Sequence, residues 1–218
     1  MHTFVKVCGI TEAAVLAEIP EGGAAGFVVE VPGCVRSLSV EAVAPLVEAL
    51  PPGAEAWAVV ADPSAELVHR LFGEAGVDRI QVYGKVPPDL EFLEVHHLVP
   101  SLPLPPRGVP GPDPSVPPAE DYSRLHLDAA GTPLPGGSAV LADWEVAHRL
   151  VETQPGRKLT LAGGLTPENV GAALAEVGPW GVDVCAGVES ARGVKDLAKV
   201  RAFLKAVETF EAGGAGPA

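Results

Sequence analysis

Strand-like runs without polar alternation, each followed by a stretch of helical period, recur along the whole of this chain. The strand candidates are residues 4–8, 25–31, 55–61, 79–83, 94–99, 124–127, 158–161 and 182–185. Most are rich in Val, Leu, Ile or Ala, as strands covered on both faces must be. Amphipathic stretches lie between them, over 11–19, 39–50, 63–75, 142–153, 167–177 and 194–211. The last sets Val194, Leu197, Val200, Phe203, Leu204 and Val207 on one face, with Lys195, Lys199, Arg201 and Lys205 on others. Eight strands alternating with helices in 218 residues predict one α/β domain, a (β/α)₈ barrel of the TIM type. An open doubly wound sheet is the alternative. Neither a GxGxxG turn after the first strand nor a P-loop lysine is present to favour it.

One segment breaks the rhythm. Residues 100–118 hold nine prolines in nineteen positions, so no regular helix forms there. The fifth helix is expected to be missing, or reduced to a turn near 118–121, in a stiff surface loop. Exposed apolar residues expected near Leu102 and Leu104 suit a homodimer. The barrel domain is expected to occupy residues 1–212, and residues 213–218 a frayed tail.

Charge and composition exclude several classes. A net charge of −13 and the absence of a basic stripe argue against a nucleic-acid partner. No apolar run is long enough to span a bilayer. The first residues enter a strand directly, without the pattern of a signal peptide, which points to the cytoplasm. Three cysteines, Cys8, Cys34 and Cys185, show no CxxC spacing, which argues against a disulfide framework. No fourth ligand lies at a spacing useful for zinc. One Met, one Asn, two Gln and 23 Pro fit a protein selected for heat, a bias that a GC-rich genome also produces.

The run Leu161-Ala162-Gly163-Gly164-Leu165-Thr166-Pro167-Glu168-Asn169 carries the most chemical information. An apolar strand end meets two glycines and then a helix start signal, with Thr166 as cap and Pro167 suited to the first helical position. Glycines let backbone N–H groups approach a ligand, and a helix N-terminus adds partial positive charge. Gly136-Gly137-Ser138 precedes this segment and Ala186-Gly187-Val188-Glu189 follows it. Three such loops after adjacent strands predict one phosphate cradle, with Gly137, Ser138, Gly163, Gly164, Ala186 and Gly187 around the anion.

A barrel of this kind works at the C-terminal ends of its strands. That end collects Cys8, Cys34, Arg36, Gln81, Tyr83, Asp128, Asp183 and Cys185. Cys8 reads as a small buried strand end or as a thiolate base. Asp128 reads as a loop hydrogen-bonding group or as an acid. An acid and a base across one mouth are what a proton-moving isomerase needs. His69, His96, His97, His126 and His148 read as surface or packing residues, as do Trp57, Trp144 and Trp180. Asp143 reads as a helix start.

With these residues in place the chain resembles the phosphoribosylanthranilate isomerases over nearly its full length. The resemblance rests on Val5-Lys6-Val7-Cys8-Gly9-Ile10-Thr11, Gly26-Phe27-Val28, Arg36-Ser37-Leu38-Ser39, Ile80-Gln81-Val82-Tyr83-Gly84, Leu127-Asp128 and Asp143-Trp144. It continues through the Gly163-Gly164 run, Gly181-Val182-Asp183-Val184, Gly187-Val188-Glu189 and Gly193-Val194-Lys195-Asp196. It implies an Amadori rearrangement of N-(5′-phosphoribosyl)anthranilate in tryptophan biosynthesis, with no metal or redox cofactor. It implies Cys8 as general base, Asp128 as general acid and Arg36 on the anthranilate carboxylate. It also places Gln81, Tyr83 and Asp183 along the pocket. Departures are Cys34-Val35 before the arginine, Tyr83 for the usual histidine, Ser138-Ala139 after the glycines, and Cys185-Ala186 for the usual Ser-Ser. A sister isomerase, synthase or epimerase, or a non-catalytic phosphosugar-binding barrel, remains as the alternative. The synthase would use Lys and Glu at the strand ends and the epimerase a metal-ligand His/Asp set, and neither is visible here.

Overall fold

A computed structural model describes residues 2–90, 96–118, 120–130 and 140–213. Eight parallel strands form the fold: β1 Phe4–Cys8, β2 Ala24–Val29, β3 Glu55–Ala61, β4 Arg79–Tyr83, β5 Leu98–Leu104, β6 Arg124–Ala129, β7 Lys158–Leu161 and β8 Gly181–Val184. Each pairs with its neighbours in sequence, and β1 pairs with both β2 and β8, so the sheet closes on itself. A two-residue strand, Ser37–Leu38, adds beside β2. The helices outside are α1 Val40–Glu48, α2 Ala65–Gly73, α3 Trp144–Thr153, α4 Val170–Val177 and α5 Leu197–Gly213.

Local sequence explains where the helices begin. Ser39, Ser64 and Asp143 each accept backbone N–H bonds in the first turn of α1, α2 and α3, satisfying donors with no partner inside the helix. The expected helix over 11–19 is instead a 3₁₀ segment, Ala13–Glu18, which has no side-chain cap and buries Val15 and Leu16. α5 starts at Leu197, not 194. Val194–Lys195 pairs with Glu189–Ala191 as a short antiparallel hairpin, and Val194 is exposed.

β5 is the largest departure. It runs through Pro100 and Pro103, with Pro100 opposite Val82 and Pro103 opposite Asp128. Each proline gives up a ladder donor but keeps its carbonyl and an extended backbone. Leu102 and Leu104 are therefore core residues, 6% and 0% exposed, and not the exposed patch expected for a dimer contact. No helix follows β5 among the described residues. A turn closed by Asp121 N–H on the Pro118 carbonyl (3.3 Å) stands there. Of the expected tail, residues 214–218 lie outside the described residues, and Gly213 ends α5.

Strands and helices sandwich the main apolar core. The barrel interior is built differently, from alternate residues of each strand. Its N-terminal end is plugged by Phe4, Ala24, Trp57 and Val99 with Trp180 against them. Phe4 stacks on Trp180 at 4.4 Å. Arg124 lies over the same rings and makes two bonds to Glu55 at 2.8 and 3.0 Å. The other end gathers Cys8, Val28, Val31 and Val59 with Cys34, Tyr83 and Cys185. Between the two lies a polar layer.

Candidate active site

That polar layer comes from β1, β4, β6 and β8: Lys6 and Asp183 sit opposite each other on the paired strands β1 and β8, and the bonds of His126 skip a strand across the barrel interior. Lys6 Nζ on β1 donates to Asp183 Oδ2 on β8 at 2.8 Å. His126 on β6 reaches the same oxygen through Nε2 at 2.9 Å. Its Nδ1 faces Gln81 Nε2 on β4 at 3.1 Å, and these partners place the ring proton on Nε2. Burial pushes the Asp183 carboxyl upward, but Lys6 and His126 outweigh it and hold the group below the usual carboxylate value. Burial likewise opposes the Lys6 ammonium, and Asp183 more than restores it. Asp183 Oδ1 is buried and has no partner among the described residues.

Above this floor a cleft of about 630 Å³, counting space open to solvent, occupies the C-terminal mouth. Cys8, Tyr83, Asp128, Gly163, Gly164, Asp183, Ala186 and Gly187 line it, so most of the residues expected at the site come together. Cys185, Val59, Leu165 and Thr166 complete much of the wall. Gln81 lies beneath, in the polar layer. Gly137 and Ser138 fall outside the described residues.

Asp128 is held from two directions. Tyr83 Oη donates to Oδ2 at 2.6 Å and Ala129 N–H to Oδ1 at 2.8 Å. Burial first, and then Asp128, push the Tyr83 phenol upward, so it remains a donor. Cys8 is buried, and its thiol is pushed up by donating to Cys185 and then by burial. Cys185 moves the other way, down to about 7, because Cys8 donates to it and Lys195 and Arg36 stand nearby. The expected lowering of a thiol at the mouth thus falls on Cys185, the neighbour of Cys8, while Cys8 itself is pushed upward.

Arg36 does not line the cleft. Its Nε and Nη2 make two 2.7 Å bonds to Glu189, which also takes Lys195 Nζ at 2.9 Å. All three side chains are almost fully buried. Burial raises the Glu189 carboxyl, yet Arg36 and Lys195 bring it down to about 2. Sequence reasoning passed over Lys6, Glu189 and Lys195, and it read as a surface or packing residue His126, which is buried and bonded to Asp183 and Gln81. Lys6 carried the available signal, a lone charge inside an apolar strand.

The glycine loops are tight for reasons of packing. Gly163 and Gly164 have φ of +84° and +68°, where side chains are strained. A Cβ on Gly164 would meet Leu141 Cα at 2.8 Å and Val140 O at 2.9 Å. One on Gly187 would fall on the Leu165 carbonyl oxygen. These glycines therefore press three loops together, more than they clear space for a ligand. The N–H groups of Gly164 and Gly187 are bonded to no acceptor among the described residues. The helix start expected at Thr166-Pro167 comes later, at Val170 with Asn169 as N-cap; residues 167–169 form a turn in which the Thr166 carbonyl takes Val170 N–H and its hydroxyl takes Glu168 N–H. Asn169 braces the turn through Gly164 O (2.9 Å) and Thr166 N (2.8 Å).

The chain is similar to known proteins over nearly its whole length. Residues 5–206 match the model of the N-(5′-phosphoribosyl)anthranilate (PRA) isomerase family. The N-(5′-phosphoribosyl)anthranilate isomerase of Geobacter sp. (strain M21) is 35% identical, with 93% of this chain and 96% of that protein covered. The Pseudomonas aeruginosa protein of the same name is also 35% identical, over 94% and 95%. Among solved structures, the Thermus thermophilus phosphoribosyl anthranilate isomerase superposes with a TM-score of 0.76 at 35% identity, covering 95% of this chain and 99% of that one. The Thermotoga maritima enzyme does so with a TM-score of 0.75 at 26% identity and the same coverage. With matches of this extent over a closed barrel whose mouth holds the expected cysteine, aspartate and glycine loops, the chain belongs to the N-(5′-phosphoribosyl)anthranilate isomerase family.

Proposed function

We propose that this chain isomerises N-(5′-phosphoribosyl)anthranilate to 1-(2-carboxyphenylamino)-1-deoxyribulose 5-phosphate, as a step of tryptophan biosynthesis. One observation carries the reading: Cys8, Asp128 and the loops of Gly164 and Gly187 open onto a single cleft. A related phosphoribosyl anthranilate isomerase, 26% identical, has been solved with the reduced form of this product.

The chemistry follows from the groups. The phosphate sits at the unpaired N–H groups of the glycine loops and the N-terminal turn of α4. Asp128, as the general acid, delivers a proton to the furanose ring oxygen and the ring opens to an iminium. The iminium acidifies the C2 proton, which Cys8, acting as the base in its thiolate form, removes to give an enolamine that tautomerises to the ketone. The substrate nitrogen is the electron sink. Asp183 Oδ1, buried without a partner, accepts a sugar hydroxyl. Arg36 spends two of its donors on Glu189 and keeps Nη1 for the anthranilate carboxylate. We place the protein in the cytoplasm, and read its proline-rich, amide-poor composition as heat adaptation. A homodimer remains part of this proposal, although Leu102 and Leu104 are buried and cannot form its contact.

The test is turnover, followed as loss of substrate fluorescence. Cys8→Ala and Asp128→Asn are each expected to lose roughly 10²–10⁴-fold in kcat while product-analogue binding persists. Turnover in excess chelator is expected to equal turnover without it. Near-wild-type rates in Cys8→Ala would remove the base from this reading.

A further inference from the structure

Cys185 stands where the resemblance leads one to expect serine, and the structure puts it against the base. Val7 pairs with Val184 across the β1–β8 seam, so Cys8 and Cys185 are the next residues on two adjacent strands. Cys8 and Cys185 pack in one cluster, and both line the cleft. On its other side the Cys185 sulfur is 3.6 Å from Lys195 Nζ, which also donates to the Cys185 carbonyl at 2.8 Å. Arg36 reaches over the same spot: a Cβ built on Gly9 would meet Arg36 Cδ at 2.5 Å and Cys185 Sγ at 3.0 Å. The cation near Cys8 is Lys6, which is already tied to Asp183.

We propose that Cys8 and Cys185 act as one base that shares a single proton, with Cys185 as the positioning residue that holds the negative charge until Cys8 needs it. This rests on Cys8 being the group that meets C2. As Cys8 takes the C2 proton, its own proton passes to the Cys185 sulfur. The C2–H electron pair moves into the iminium and yields the neutral enolamine. One positive and one negative charge disappear together, and two thiols remain. Such a pair titrates as a unit, at a lower pH than a lone buried thiol. The value of about 7 at Cys185 accords with this.

The charged groups facing the pair pull in both directions. Lys195, Arg36 and Lys6 favour the thiolate. Asp183 below and Glu189 beside it oppose the thiolate. Tyr83 and Asp128 face Cys8 across the cleft, bonded to each other. Cys34 packs against the same cluster and takes no part in the transfer.

Thiolate absorption against pH, in a Cys34→Ser background without substrate, is the direct measurement. The pair is expected to yield one thiolate per chain with a midpoint near pH 7. Cys185→Ser is expected to move both that midpoint and the acid limb of kcat/KM upward by at least about one pH unit, about tenfold in rate at neutral pH, with the rate recovering at high pH. An unshifted acid limb in folded Cys185→Ser overturns the proposal. Should that variant not fold, alkylation of the native protein with peptide mapping decides: modification of Cys185 rising near pH 7 supports the pair, and rising only near the ordinary 9.0 overturns it. Cys8→Ser separates the two readings. If it turns over normally while the thiolate still titrates near neutrality, Cys8 is not the base although the charge lies on Cys185.

Discussion

Arg36 combines two demands in one side chain. It keeps Glu189 paired in a site closed to water, and the proposed function asks it to offer a donor to a substrate carboxylate as well. Two 2.7 Å bonds serve the first demand. Removing one partner of a buried pair leaves an uncompensated charge, at a cost of about 3–5 kcal/mol. Lys195 stays on Glu189 at 2.9 Å, so Arg36→Met is expected near the lower limit, about 3 kcal/mol in denaturant unfolding. The same variant is expected to raise KM for the carboxylated substrate more than it weakens inhibition by inorganic phosphate. Equal losses would assign Arg36 to the phosphate. Residues at this scale were legible when they ended a strand. Cys8, Asp128 and Asp183 were found because position along a barrel strand implies the mouth. His126 and Glu189 were not, because their partners lie on β8 and in the loop after β2, far off in sequence.

The elements depend on close backbone approach between loops. Gly187 is held against the Leu165 carbonyl with no room for a Cβ. Gly187→Ala is expected to part the loops after β7 and β8 and to raise KM for the phosphorylated substrate more than tenfold, about 1.4 kcal/mol. Inhibition by inorganic phosphate should weaken in parallel, while thiolate titration stays unchanged. An unaltered phosphate affinity would place the anion elsewhere. Helix starts are separable from the site: Asp143→Ala removes two bonds to the first turn of α3 and is expected to cost about 1 kcal/mol in denaturant unfolding. Most strand bounds could be read from the sequence because apolar runs end at Gly, Asp or Pro. β5 could not, since proline counts against a strand locally and pairing with β4 and β6 overrides that count.

Closure of the barrel brings buried charge into the stability of the whole molecule. Glu189 sits at about 2 against an ordinary 4.5, and Asp183 is held below its ordinary 3.8. A depressed carboxyl contributes stability that is complete above its ordinary value and is lost as pH falls through the folded one. The denaturation midpoint is therefore expected to drop as pH falls from 4.5 towards 2. Glu189→Gln, already lacking the charge, should show a shallower drop across that range. An identical acid profile for the variant would show that Glu189 is not linked to folding.

The sequence by itself determined the class of fold, the order and most strand bounds of its elements, and most of the residues that line the cleft, Arg36 and Gln81 excepted. Those properties follow from local period, from capping chemistry and from position along a strand. Tertiary structure decided the rest. It chose which alternate residues face the barrel interior, and so joined Lys6, Asp183, His126 and Gln81 into one polar floor. It set Cys185 beside Cys8 by closing β8 on β1, the placement on which the proposed shared base rests. The reason is physical: hydrogen bonds and shared protons depend on distances of a few ångströms between strands far apart in the chain, and only barrel closure fixes those distances.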